Sequence, residues 1–122
     1  MNIQNYWTDV LSQDAEAMRS YFCENARINW HNTNEQFTVA EFIRANCEYP
    51  KKWDGEIERL IKVDDLIISV VRVYPIDQSQ SFHVTSFITL SDEKITAIDE
   101  YWGDDGLPPQ WRIQLKLGTQ IK

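Results

Sequence analysis

The stretch that most limits what this chain can fold into is Lys94–Arg112, KITAIDEYWGDDGLPPQWR. In an extended strand alternate side chains face opposite sides, so Ile98, Glu100 and Trp102 share one face and Asp99 and Tyr101 the other. A carboxylate between two large apolar groups is costly to bury unless it is protonated, paired or in contact with a bound molecule. The run stops at Gly103 and turns through Pro108 and Pro109, which cannot continue a ladder. The stretch therefore predicts a sheet with one packed face and, at Glu100, a pocket.

Upstream, the apolar spacing is helical. Ile3, Tyr6, Trp7, Val10 and Leu11 form the stripe of an amphipathic helix. Ser12 or Asp14 can cap a second helix carrying Ala15, Met18 and Phe22. A short strand, Ala26–His31, follows. Thr38 and Glu41 have capping-box spacing, and the helix they open buries Val39, Phe42, Ile43 and Cys47 before ending ahead of Pro50. Cys23 and Cys47 sit at helical apolar positions and read as buried free thiols. The first fifty residues are mainly helix and the rest mainly strand, which predicts one α+β domain over residues 1–122.

Two hairpins make up the second half. Trp53–Val63 and Leu66–Tyr74 fold around Asp64-Asp65, a register that sets Val63 opposite Leu66 and Ile57 opposite Arg72. One face then collects Trp53, Ile57, Ile61, Val63, Leu66, Ile68 and Val70, with Arg59 and Arg72 on it. The other is acidic at Asp54, Glu56 and Glu58 and apolar at Ile67, Val71 and Val73. That apolar end is expected to be an outer patch that meets another chain. Ser81–Leu90 and Lys94–Gly103 fold around Ser91–Glu93, with Leu90 opposite Ile95, Thr85 opposite Glu100 and His83 opposite Trp102. One face thus holds His83, Thr85, Phe87, Ile98, Glu100 and Trp102. A slip of one residue in either strand would break that grouping. After the prolines, Trp111 restarts the chain as a tail, as an anchor at a dimer seam or as a lid over the pocket.

Charge excludes several partners. The net charge is −7, and no run of Lys and Arg exceeds two neighbours. Nucleic acid and anionic membranes need basic density that is missing here. No apolar run approaches the roughly 20 residues of a membrane span, and the first residues lack the pattern of a signal peptide, so a cytoplasmic protein is expected. His31 and His83 stand far apart among scattered carboxylates, so no metal site is expected. Without a phosphate loop or nucleophile elbow, no cofactor is expected either. The five Trp, five Tyr and five Phe supply more ring surface than a small core needs. They line either a core or a cavity.

Two or three helices, then a long bent antiparallel sheet ending in I-x-x-I-x-E-Y-W-G, resemble the nuclear transport factor 2-like superfamily, and its SnoaL-like branch most. The resemblance rests on element order, the helix Ile3–Leu11, ENARINWHN, the Thr38 helix and KITAIDEYWGDD. It implies a cone in which a curved sheet wraps the helices, leaves a deep pocket at its open end, and commonly dimerises through its convex face. The fold hosts isomerases, dehydratases, epoxide hydrolases, polyketide cyclases and non-catalytic binders, so it does not assign a function. Ketosteroid isomerases of this fold use a Tyr on the first helix, an Asp at the end of the first strand and an Asp on the second-last strand. Those positions fall on Trp7, on Trp30 or His31, and on Thr85, which disfavours that chemistry.

The overlay places Ile98, Glu100 and Trp102 on the pocket face. SnoaL-like cyclases use a His and an Asp on the last two strands. His83 resembles the first, and Glu100 or Asp104 the second. The resulting expectation is an aromatic-lined pocket for a small, largely apolar molecule. His83 and Glu100 would be its acid–base pair, and Trp7, Trp30, His31, Thr85, Phe87, Ile98 and Trp102 its ligand contacts. Two readings stand beside each other: an isomerase or cyclase-type enzyme, and a non-catalytic binder or dimeric interaction protein.

Overall fold

The computed structural model describes residues Met1–Lys122. Helix α1 (Ile3–Leu11) starts at Asn2, whose side chain accepts from the Asn5 N–H at 2.9 Å, and it buries Ile3, Tyr6, Trp7 and Val10. Helix α2 (Ala15–Arg19) is capped by Asp14 rather than Ser12. It ends at Arg19, so Phe22 does not belong to it. Phe22 instead opens β1 (Phe22–Trp30), which begins earlier than the expected Ala26. The unexpected short strand β2 (Glu35–Thr38) returns along β1. Helix α3 (Val39–Cys47) begins with the full capping box: the Thr38 hydroxyl accepts from the Glu41 N–H, and the Glu41 carboxylate accepts from the Thr38 N–H at 2.9 Å. Cys23 and Cys47 are free thiols but only half-buried.

Strands β3 (Trp53–Val63), β4 (Leu66–Pro75), β5 (Phe82–Ser91) and β6 (Lys94–Asp104) form the two hairpins, and a short helix, α4 (Gln110–Gln114), follows. The six strands lie in the order β2-β1-β6-β5-β4-β3. Every pairing is antiparallel except that of β1 with β6, which is parallel and sets Trp30 beside Glu100. This sheet is curved and unclosed, with α1 and α3 against its concave side. The architecture is the α+β cone, with one parallel pairing in a sheet expected to be wholly antiparallel.

Two bulges decide which side chains face inward. In β3 the ladder runs Val63–Leu66 to Arg59–Val70 and resumes at Ile57–Val71, leaving Glu58 unpaired. In β6 it runs Ser91–Lys94 and Leu90–Ile95, then resumes at Thr89–Ala97, leaving Thr96 unpaired. An extra residue shifts everything beyond it to the opposite face of its neighbour and sharpens the bend. Ser86, not Thr85, therefore lies opposite Glu100, and Gly103, not Trp102, lies opposite His83. Ile57 pairs with Val71 rather than Arg72.

The core is one cluster between the helices and the concave face. Ile67, Val71 and Val73 belong to it, at 2%, 0% and 6% exposure. They are not the outer patch the sequence suggested, because the helices need an apolar floor and these residues supply it. The convex side carries Ile68, Val70, Arg72 and Tyr74, all half-buried. Arg72 stacks over the Tyr74 ring at 4.3 Å and reaches Glu56 at 3.9 Å. Arg59 is exposed.

The β3–β4 pairing brings backbone very close at Gly55. A Cβ there would lie 2.6 Å from the Arg72 carbonyl oxygen and 3.1 Å from the Leu11 side chain. The carbonyl cannot retreat without breaking the ladder. Gly55→Ala is expected to lower stability by about 1–3 kcal/mol in urea unfolding; an unchanged midpoint would contradict this packing.

Candidate functional site

A cavity of about 480 Å³ opens between α1, α3 and the concave end of the sheet. Helix α1 contributes Tyr6, Trp7 and Val10, and α3 contributes Phe42, Ala45 and Asn46. Strand ends contribute Trp30, Trp53, Phe82, Glu100 and Trp102. The rings contact one another edge-on or tilted, with Trp30–Phe42 at 6.3 Å, Trp30–Trp102 at 6.2 Å, Trp102–Phe82 at 6.3 Å and Phe82–Trp53 at 6.1 Å. Edge-to-face contacts of this kind stiffen an aromatic wall. At the mouth, the Asn32 side chain donates to the Trp102 carbonyl and accepts from the Trp102 N–H at 2.5 Å, which fixes the end of β6 against the end of β1.

Glu100 is the one carboxylate in the core, 2% exposed. The Trp30 indole donates to its Oε1 at 2.9 Å, and the Ser86 hydroxyl donates to its Oε2 at 2.6 Å. Burial pushes the Glu100 carboxyl above the ordinary glutamate value, while bonds from Ser86 and Trp30 and the nearby Trp102 indole pull it part of the way back. The Trp102 Nε1–H is buried and completes no hydrogen bond of its own. Tyr6 is 1% exposed. Burial first, then the neighbouring Glu100 charge, raises its phenol pKa well above normal, so it stays a neutral hydroxyl. Trp7 has its indole N–H committed to Ser69 at 3.2 Å. No Lys, Arg or His lines the cavity.

Of the residues singled out from sequence, Trp7, Trp30, Glu100 and Trp102 meet on the cavity walls. Ile98 faces the same side but is fully buried in the core and does not line the cavity. His83, Thr85 and Phe87 lie on the convex side, turned outward by the Thr96 bulge. His83 is therefore not beside Glu100. It bonds Asp105 at 2.5 Å and Glu58 at 3.0 Å, and chiefly the Asp105 bond raises its pKa. His31 is also outside, stacked on Tyr101 at 4.4 Å and bonded to Asp99 at 2.7 Å. Sequence reasoning missed Tyr6, Ser86, Phe42 and Phe82. Ser86 sits in an apolar period-two row between Val84 and Ile88. The spacing of Ile95 and Ile98, three apart in a strand, was the available signal for the bulge.

No family model and no curated protein matches the sequence. Solved structures do. A candidate ketosteroid isomerase from Kribbella flavida aligns over 98% of this chain and 87% of that one, at 20% identity and a TM-score of 0.80. A nuclear transport factor 2-like protein of unknown function from Burkholderia xenovorans aligns over 98% and 92%, at 17% identity and 0.79. A candidate SnoaL-like polyketide cyclase from Jannaschia aligns over 82% and 81%, at 12% identity and 0.68. The fold is the nuclear transport factor 2-like cone, and its structural neighbours include ketosteroid isomerase-like and SnoaL-like proteins. At these identities the likeness is one of fold.

The Glu100 environment has a measurable consequence. With its folded pKa above the unfolded one, the native state holds the proton more tightly. That stabilisation is complete below the ordinary glutamate range and is lost as pH rises through the raised value. Glu100→Gln keeps the shape without the charge. Its stability is expected to overtake that of the wild type as pH rises from about 4 to about 8, read by urea unfolding. Parallel curves would place the titration of Glu100 at its ordinary value.

Proposed function

We propose that the protein binds a small, largely apolar molecule in the ring-lined cavity, and that Glu100 exchanges a proton with it in an isomerase- or cyclase-type reaction. The observation that carries this reading is a buried carboxyl with a raised pKa on the wall of an aromatic cavity whose other charged group, Asp104, is exposed at the end of β6. A carboxyl held above its ordinary value keeps a proton it can give and takes one back more readily than an exposed carboxylate. Tyr6, close enough to feel the Glu100 charge, is the natural donor to an oxygen on which negative charge develops. The inward residue on the second-last strand is Ser86, which positions Glu100 rather than replacing it. His83 has no part in this mechanism.

A second reading is favoured by one specific feature. Both Glu100 oxygens already accept hydrogen bonds, from Trp30 and Ser86, and a satisfied buried carboxyl serves a non-catalytic binding protein equally well. The free thiols suit a reducing compartment such as the cytoplasm. The exposed convex rings Phe87 and Tyr101 suit contact with a second copy.

The two readings separate on one substrate probe. A bicyclic ketone such as 2-decalone is expected to quench the cavity tryptophans. In heavy water the protein is expected to speed exchange of its α-protons, with Glu100→Gln losing about 100-fold or more of that rate. Quenching without exchange selects the binder. Neither effect overturns the cavity as a site for apolar ligands of this size.

A further inference from the structure

The chain beyond Asp105 is chemically unlike what precedes it. It holds three of the twelve basic residues, Arg112, Lys116 and Lys122, and none of the nineteen acidic ones, so residues 1–105 carry a net charge of −10. Its apolar residues Trp111, Ile113, Leu115 and Leu117 alternate with Arg112, Gln114 and Lys116. That is the period of a strand with one apolar and one basic face. As a helix the same spacing scatters the apolar groups around the cylinder. In this structure the segment is the short α4 and a following coil, with Trp111 58%, Leu115 64% and Leu117 59% exposed. Its own body offers these side chains little cover. Its one ion pair with that body runs from Lys122 to Glu58, 3.7 Å apart.

The sheet has a matching surface. Strand β3 is the longer of its two edge strands, eleven residues against the four of β2, with one row of backbone donors and acceptors unpaired. Asp54, Glu56 and the bulged Glu58 lie along its outward side; Asp54 has no basic partner, Glu56 meets Arg72 at 3.9 Å and Glu58 meets His83 at 3.0 Å. Its far half exposes Leu60, Ile61 and Val63 at 39%, 47% and 54%. An acidic row along one side of an open edge complements the basic face of such a strand. Its partner has an apolar sequence with nothing to cover it at home.

We propose that the tail of one copy adds as a strand, Trp111–Leu117, to the β3 edge of a second copy, with Arg112 and Lys116 against the Asp54–Glu56–Glu58 row. The exchange is reciprocal, so a single twofold axis makes both contacts and closes the dimer. Main-chain hydrogen bonds extend the sheet, and charge sets the partner.

Sedimentation equilibrium on the full chain tests this with paired charge reversals. The wild type is expected to be a dimer that weakens as salt is raised. Arg112→Glu with Lys116→Glu, and separately Asp54→Lys with Glu56→Lys, are each expected to lose about tenfold or more in dimer affinity. Mixing the two variants restores a heterodimer, because each tail then meets a row of opposite charge. Ile113→Asp with Leu115→Asp is expected to weaken the dimer by about 100-fold or more, with unchanged far-ultraviolet circular dichroism. A monomeric wild type overturns the proposal. So does a dimer indifferent to the tail variants, or a mixture that fails to recover, which would mean that the tail lies on its own sheet or that the copies meet elsewhere.

Discussion

At Thr96, strand β6 carries one residue more than the stretch of β5 opposite it, and the open end of the cone follows from that count. Ile95 and Ile98, three apart, both turn into the core at 0% exposure. Beyond the bulge, Glu100 and Trp102 face inward opposite Ser86 and Val84 instead of Thr85 and His83. Ser86 is thus in place to donate to one oxygen of Glu100, while the parallel pairing with β1 brings Trp30 to the other. A carboxyl this deep is tolerated because both oxygens are bonded. The Glu58 bulge plays the same part in β3. Below it, Trp53 and Ile57 face the cavity and core, whereas above it Ile61 and Val63 face out.

The sheet sorts its polar chemistry by side. The buried part of the concave face holds one carboxyl, two serines and otherwise rings and aliphatic groups. The convex face holds the ion pairs: His31 with Asp99, His83 with Glu58 and Asp105, and Arg72 with Glu56. Charges pair where water screens the cost of holding them, and the single group that stays inside has its titration moved by desolvation. That asymmetry makes the cavity a place where one proton can matter. Neither histidine reaches the cavity: each has carboxylate partners on the wet side of the sheet.

Much of the fold was legible because its signals are local. The α1 stripe, the Thr38–Glu41 capping box, the Asp64-Asp65 turn and the Leu90–Ile95 pairing each depend on residues a few positions apart, and each is present. Glu100, Trp30 and Trp102 stood out because a carboxylate and large rings in alternating strands are conspicuous. The parallel β1–β6 pairing was not legible, since nothing near Trp30 in the chain speaks of Glu100. His83, Thr85 and Phe87 were assigned to the cavity by an unbroken period of two, and one unpaired residue at Thr96 sent all three outside. Ile67, Val71 and Val73 were assigned to the outer surface because apolarity alone does not say which layer covers it.

By itself the sequence determined the periods, the caps, the turns, the charge balance and the presence of one carboxylate among rings, because those are properties of neighbours along a chain. The tertiary structure alone decided which face of each strand is concave, which strand lies beside β6, and therefore which donors surround Glu100. The physical reason lies in the strand itself. Its side chains alternate with a period of two, so a single bulge inverts every assignment beyond it, and only the long-range ladder reveals where that extra residue falls.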